Sequence, residues 1–418
     1  MRTWLAIALA ATLAGVAILA RDGDPPAAGE HVPASLLALQ DGWLAKLDPR
    51  SLSPLAGGRV RLRDPLERWA RDPSGTRLAV VTRRGATLRF FDTSRMRAAG
   101  TIRTRARGLV AALAWPRPDR LWLVLATPAC CATGSTTVVT VDPARRKVVA
   151  RTEFMAGLTR VAATPDGAVL LLAPSATIGT ATLITVDAIG DVDAARLGGT
   201  SAGLLPTEGV PFILRTRRPG LAVDARRRRA FVVSSRPQVL EIDLVTMRVL
   251  YHRLSPYRTP LQRLRDLLEP PADAQQPVGP ERSAAWVRPG AIAVSGVDSH
   301  VSWRPRGGVD HVARPAGLRL IDTNRWEIRT LDEGAAAFRT VEGLILTDGR
   351  GLAIHGPDAV TRLLEGRRVR VLGSAGSLAY VREGGVLHVV ELTTGRIEAS
   401  RRVENTQLLL DHVTAPWG

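Results

Sequence analysis

Three places in this sequence hold residue types that can do chemistry. The segment 296–316, GVDSHVSWRPRGGVDHVARPA, gathers Asp298, His300, Trp303, Arg304, Arg306, Asp310 and His311. Aspartate and histidine are metal ligands, and Trp beside Arg suits an acidic or sugar-like ligand. The spacing is too loose to specify an ion, so no metal is assigned. Asp298, His300, Trp303, Arg304, Asp310 and His311 are taken as ligand-binding candidates. Cys130 and Cys131 are adjacent and are the chain's two cysteines. An oxidising compartment would close them into a vicinal disulfide; otherwise they stay two free thiols. Neither state staples distant parts of a fold. Gly199-Thr200-Ser201-Ala202-Gly203 matches a nucleophile elbow in letters, but LLPTEGVPF follows it. Pro206 and Gly209 oppose the helix that an elbow needs, so this stretch reads as a loop. The sequence contains no P-loop, no H-E-x-x-H and no zinc-type cysteine cluster.

Charge narrows the partners. The formal net charge is +18, and Lys46 and Lys147 are the only lysines among 57 basic residues. A genomic bias toward arginine codons accounts for such a skew. Its functional reading is attraction to an anionic surface polymer or lipid headgroups. The arginines are scattered and form no nucleic-acid motif, so nucleic acid is not expected. A content of 23% charged and 45% hydrophobic residues describes a folded chain with a large core.

Residues 1–20, MRTWLAIALAATLAGVAILA, carry one charged side chain, Arg2, before an uncharged run. They are expected to act as a signal peptide or an N-terminal membrane anchor, with 21–35 as a linker. Residues 36–413 then form the folded domain, outside the cytoplasm and monomeric.

The elements that must position any site repeat along the chain. An alternating apolar stretch ends in an acid, then a short turn, then a second stretch. The copies are WLAKLD to Asp48, LRFFD to Asp92, VVTVD to Asp142, LITVD to Asp187, VLEID to Asp243, LRLID to Asp322 and LHVVE to Glu391, with a weaker GLAIHGPD to Asp358. Their spacings average 49 residues, a blade-like period. Period-two alternation marks strands, and the acid opens a turn by accepting backbone N–H groups two residues on. Before most copies stands a hairpin: WARDPSGTRLAVV, AWPRPDRLWLVL, VAATPDGAVLLLA, LAVDARRRRAFVV, AWVRPGAIAVS, FRTVEGLILT and VLGSAGSLAYV. Each unit is therefore four antiparallel strands. One such sheet cannot bury both faces alone, and radial stacking solves this. The unmatched first trailing hairpin, 43–55, would be completed by LLALQ at 36–40 and QLLLDHV at 407–413. The expected fold is all-β, a seven- or eight-bladed β-propeller, eight by repeat count, with its ring closed by both termini.

The units resemble the YVTN/WD40-like β-propeller repeat superfamily of the secreted bacterial type. Asp72-Pro73-Ser74-Gly75, Thr164-Pro165-Asp166-Gly167 and the strand-ending acids carry the resemblance over residues 36–413. The Gly-His and Trp-Asp dipeptides of WD40 repeats are missing, so that subfamily's protein-binding roles do not follow. Some quinone-cofactor propeller dehydrogenases place a vicinal disulfide beneath the cofactor. Their Trp-docking repeats are not found here, and no cofactor is expected.

In such a ring the long insertions 126–137, 173–181, 255–283 and 296–316 project on one face. Within 255–283, TPLQRLRDLLEPP predicts a short amphipathic helix, capped by Thr259 and stopped by Pro270 and Pro271. Arg226 to Arg229 form a basic hairpin turn on the opposite face. These features predict a binding or scaffolding propeller that takes a ligand, an unknown protein or an anionic polymer on the long-loop face. The alternative is a propeller enzyme, a quinoprotein-like oxidoreductase or a hydrolase or lyase, whose site lies on the axis. Carboxylates or histidines converging there would favour the enzyme. A funnel of apolar and Arg side chains would favour binding.

Overall fold

The computed structural model describes residues 32–62, 64–127, 134–174, 177–206, 214–256, 279–303, 309–403 and 406–410. Side chains 204–206, 214, 215, 300–303 and 309–311 also lie outside the description. The strands form eight sheets arranged as an eight-bladed propeller, antiparallel but for Ser255–Pro256, which adds parallel to the outer edge of the sixth. Seven of the sheets follow one another along the chain. Blade 2 runs from Arg68–Arg71 to Arg97–Arg103 and blade 3 from Leu109–Arg117 to Lys147–Phe154. Blade 4 spans Ala156–Ala163 to Val192–Pro206, and blade 5 spans Gly220–Asp224 to Val249–Arg253. Blades 6, 7 and 8 begin at Gly279–Arg288, Arg339–Val341 and Val369–Ala375.

Blade 1 joins the two ends of the chain. Its innermost strand is Thr406–Leu409, which pairs antiparallel with Leu36–Gln40. Trp43–Leu47 and Val60–Arg61 complete it outward. The outer strand therefore stands beyond the 43–55 hairpin that the sequence suggested. Pro54 makes only an isolated bridge to Leu47 before the chain reaches Val60.

The second strand of each blade shows why the ring holds. In RLWLVLA (Arg120–Ala126), Leu121, Leu123 and Leu125 pack toward blade 2, against Leu88, Phe90 and Val81. The intervening Trp122, Val124 and Ala126 pack toward blade 4, against Leu170, Leu172 and Val186. Both faces are buried, so the run is continuously apolar where a half-exposed strand would alternate. Each fully buried Leu contributes about 1.5–3 kcal/mol. The outer strands face solvent on one side, and KVVARTEF (Lys147–Phe154) alternates strictly.

The strand-ending acids act as the sequence implied, except Asp358, which stands within the turn after Leu352–His355 and accepts no amide among the described residues. Asp142 Oδ1 accepts the amides of Ala144 and Arg145 at 3.0 and 2.9 Å. Asp187, Asp243 and Asp322 hold their turns with the same pair of bonds. The backbone bonds place turn amides on the carboxylate and favour its charged form. Asp48 and Asp243 accordingly sit below the usual carboxylate range, held there first by the amides of Ser51 and Thr246.

Two sequence readings need correction. The segment 296–316 is not a loop: Ala291–Trp303 runs on beyond its pairing with Leu318–Asp322 and pairs with Val309–Pro315 in a β-ribbon, while Gly279–Arg282 stays on its other edge as far as Ser299. Gly296 marks the departure point, where an added Cβ would stand 1.9 Å from the Glu281 carbonyl oxygen. The Gly199–Gly203 stretch is likewise no loop between blades, for it lies inside the strand Val192–Pro206; Ser201–Gly203 pair with Ile178–Thr180, and Gly199 and Thr200 fall at the register shift before them. The extra pairing partner, Leu214–Arg217, extends this strand where the pattern offered no alternation to read. The expected helix falls in 257–278, outside the described residues, as do residues 1–31, Cys130 and Cys131.

Candidate functional site: the axial channel

The first strand of each of blades 2 to 8 is the terminal strand of its sheet, and Thr406–Leu409 takes that place in blade 1. One backbone edge of every such strand therefore has no neighbour within its own blade. The first strands of blades 2 to 8, with Pro33–Ser35, line a cavity of about 930 Å³ on the axis, which reaches the hairpin turns around Asp72–Gly75, Pro116 and Ala225. Alanines make the space: Ala70, Ala112, Ala114, Ala162, Ala222 and Ala284 line it where larger side chains would fill it.

The charged residues lining this cavity are Arg68, Arg71, Arg160, Arg339 and Asp72. Asp72 is occupied by its own turn. Its Oδ1 accepts the Arg77 amide at 2.8 Å, and its Oδ2 accepts the Ser74 hydroxyl at 2.6 Å. Trp69, Trp115, Trp286 and Phe338 also border the cavity, with Trp69, Trp115 and Phe338 buried in the apolar clusters between blades.

Side chains from neighbouring blades cap carbonyls on the open edges. Trp69 Nε1 donates to the Leu410 carbonyl at 3.1 Å, from blade 2 to the end of the chain. Arg339 Nε donates to the Val371 carbonyl at 3.0 Å, from blade 7 to blade 8. Arg160 reaches further. From blade 4 it passes blade 5 and donates through Nη2 and Nε to the Arg282 carbonyl of blade 6, at 2.6 and 3.2 Å. Its Nη1 donates to the Thr159 carbonyl at 3.1 Å.

Arg160 is 7% exposed. Burial, with the charge of Arg218 adding to it, pulls its guanidinium down to about 10. It still carries its proton at neutral pH. Burial lowers Arg339 in the same sense, partly offset by Asp348. Among the described residues no carboxylate lies within ion-pair distance of Arg160. The nearby acids are committed elsewhere: Asp298 Oδ1 pairs with Arg282 Nη1 at 2.7 Å, and Glu281 with Arg218 at 3.7 Å.

The ribbon divides the sequence candidates. Asp298, Ser299 and His300 face Arg314, Ala313 and Val312 in register, and Ser302 and Trp303 face Asp310 and Val309. Positions 298, 300 and 310 thus share one side of the ribbon, and positions 303 and 311 the other. The side chains of His300, Trp303, Asp310 and His311, and all of Arg304, lie outside the described residues. Asp298 does not stand free, since it serves as the counter-ion of Arg282. Ser201 likewise accepts Arg217 Nη1 at 2.8 Å.

A second polar line looks catalytic at first sight. In blade 8, Ser400 Oγ lies 2.8 Å from His388 Nδ1, and His388 Nε2 lies 3.0 Å from Glu383 Oε2. Arg367 also holds Glu383, whose carboxyl sits below the usual range chiefly through that bond. None of these residues lines the axial cavity. His388 and Ser400 are a directly opposed cross-strand pair, so the line ties outer strands together.

The sequence reading missed Arg68, Arg71, Arg160 and Arg339. A signal was present in the leading hairpins, where RWARDP, LTRVAATPD and FRTVEG place arginine in strands otherwise built from Ala, Leu and Val.

Fold and channel together define the class: an eight-bladed β-propeller with an arginine-lined axis. No family model matches the chain, and no curated protein matches it. Solved structures do resemble it. Dihydro-heme d1 dehydrogenase NirN, solved in complex with DHE, aligns at 12% identity with a TM-score of 0.55, covering 92% of this chain and 77% of NirN. Apo AztD from Citrobacter koseri aligns at 12% identity with a TM-score of 0.51, covering 90% of this chain and 96% of AztD. At such identity the likeness is one of fold.

Proposed function

We propose that this chain is an extracytoplasmic binding or scaffolding propeller of the YVTN/WD40-like kind, with its ligand or partner engaged through the axis and the long-loop face that surrounds one end of it. One observation carries the reading. Apart from Asp72, which its own turn holds, the charged groups lining the axis are guanidinium groups, which hold a ligand but do not exchange protons near neutral pH. Small apolar walls complete a binding surface. The uncharged run 4–20 supports the location outside the cytoplasm.

The test is chemical analysis of the purified full chain for metals and organic redox cofactors. Less than about one-tenth of an equivalent of each is the result expected of a binding propeller. A stoichiometric quinone, haem or metal replaces this reading with an enzyme.

A further inference from the structure

We propose that the axial channel is a binding site for an organic anion, an apolar body bearing at least one acidic group, with Arg160 as the residue that takes the charge and Arg68 and Arg339 beside it on the channel wall. The proposal deepens the binding reading above and rests on it.

Arg160 is the starting point. A guanidinium has five N–H bonds. Three contacts, two to the Arg282 carbonyl and one to the Thr159 carbonyl, use three of them. Two N–H bonds of a side chain 7% exposed are left without an acceptor among the described residues. Burying a cation with neither a counter-ion nor a full set of acceptors is unfavourable. An anion on the channel side of Arg160 would meet both needs with a forked, charge-assisted pair of bonds.

The surroundings point the same way. Among the described residues no acid pairs with Arg160: Glu281 acts on it only at longer range, and the acids of this wall are already held. Asp298 serves Arg282, Glu281 serves Arg218 and Asp72 serves its own turn. Arg68 and Arg339 make no ion pair either among the described residues. Several positive charges thus share a low-dielectric cleft, where field lines concentrate.

The walls decide what kind of anion. A bare inorganic oxyanion would leave most of a cavity of about 930 Å³ unfilled. The alanine side chains that line it favour an apolar body behind the acidic group.

The test uses the intact chain and two fluorescent probes that share one ring system, anilinonaphthalene sulfonate and uncharged anilinonaphthalene. Both are titrated into the wild type, Arg160→Met, and Arg396→Gln as an exposed control on the outer strand of blade 8. The sulfonate is expected to bind more tightly than the uncharged probe. Arg160→Met should weaken the sulfonate about tenfold or more, as expected for losing a hydrogen bond to a charged group. It should leave the uncharged probe within about twofold, and Arg396→Gln should change neither. Equal sulfonate affinity in wild type and Arg160→Met overturns the proposal, as does an equal loss for both probes. If Arg160→Met does not fold, Arg68→Gln and Arg339→Gln carry the test. Each should weaken the sulfonate selectively by about fivefold, and unchanged affinity in both overturns the proposal. A cofactor found on the purified protein would refute the binding reading, whereas a lack of charge dependence here refutes only this site.

Discussion

Closure of the ring can be broken at one strand. Thr406–Leu409 and the following Leu410 place three leucines at 5, 1 and 4% exposure, for Leu408, Leu409 and Leu410. Successive side chains of a strand point to opposite faces, so the three serve two interfaces. Leu409 packs with Leu37, Leu44, Trp69 and Leu78, between blades 1 and 2. Leu408 and Leu410 pack with Leu36, Tyr380 and Val389, between blades 8 and 1. A buried Leu→Ala change costs about 2–5 kcal/mol. Leu408→Ala and Leu409→Ala act on different interfaces, and together should cost about 4–10 kcal/mol. Whole domains are stable by only about 5–15 kcal/mol. Ending the chain at residue 405 removes both contributions and also the carbonyl that accepts the Trp69 indole N–H. Urea unfolding followed by tryptophan emission, with circular dichroism in parallel, measures the effect. Each single variant should shift the transition by its 2–5 kcal/mol, and the truncated chain should have no cooperative transition. Leu250→Ala, at a side chain 42% exposed, should change stability by under about 0.5 kcal/mol. A truncated chain that unfolds at the wild-type midpoint would refute closure by this strand.

Four further outcomes are expected. Tyr380, whose hydroxyl donates to the Pro49 carbonyl across the blade 8 to blade 1 seam, should lose about 0.5–1.5 kcal/mol as Tyr380→Phe, read by the same urea titration. Burial holds His355 below the usual imidazole value, and its Nε2 lies 3.2 Å from Thr347 Oγ1. The unfolded chain therefore binds this proton first, so stability should fall as pH drops below about 6.5, and His355→Gln should flatten the melting temperature between pH 7 and 5.5. Asp48 and Asp243 have lowered values, so their stabilisation is complete above about pH 4 and lost as pH falls through the folded values; Asp243→Asn should reduce that acid loss in pH-dependent melting curves. Residues 1–40 fused to an alkaline phosphatase that works only outside the cytoplasm should give an active fusion, and an inactive fusion made at normal levels would remove the extracytoplasmic reading.

Much of the fold can be read from local chemistry. The second strands are runs such as RLWLVLA and GAVLLLA because both of their faces meet other blades. Asp142 or Asp243 can be recognised as a turn opener because its bonds reach two and three residues ahead. Even the closing blade was legible, since LLALQ and QLLL stood without partners in a chain of otherwise complete units. The ribbon at 297–315 was not. GVDSHVSW and VDHVARP are too polar and too weakly alternating to signal strands, and they pair because Ala291–Trp303 continues a strand already anchored in its blade. The polar candidates drew attention as a cluster. Register then split their positions between two sides, and Asp298 was already claimed by Arg282.

The amino-acid order by itself determined the repeating unit, its turns, the apolar faces and the closure of the ring, because each depends on residues a few positions apart or on a tally of units. The axis was decided by tertiary structure alone. Arg68, Arg160 and Arg339 lie in three different blades, in hairpins that look alike from outside, and no spacing along the chain relates them. They share one cavity because each blade turns a little further around a common centre, so the inner edge of every sheet ends at the same line in space. Whether an arginine there finds a carboxylate depends on which blades face across that line, and local sequence carries no record of it.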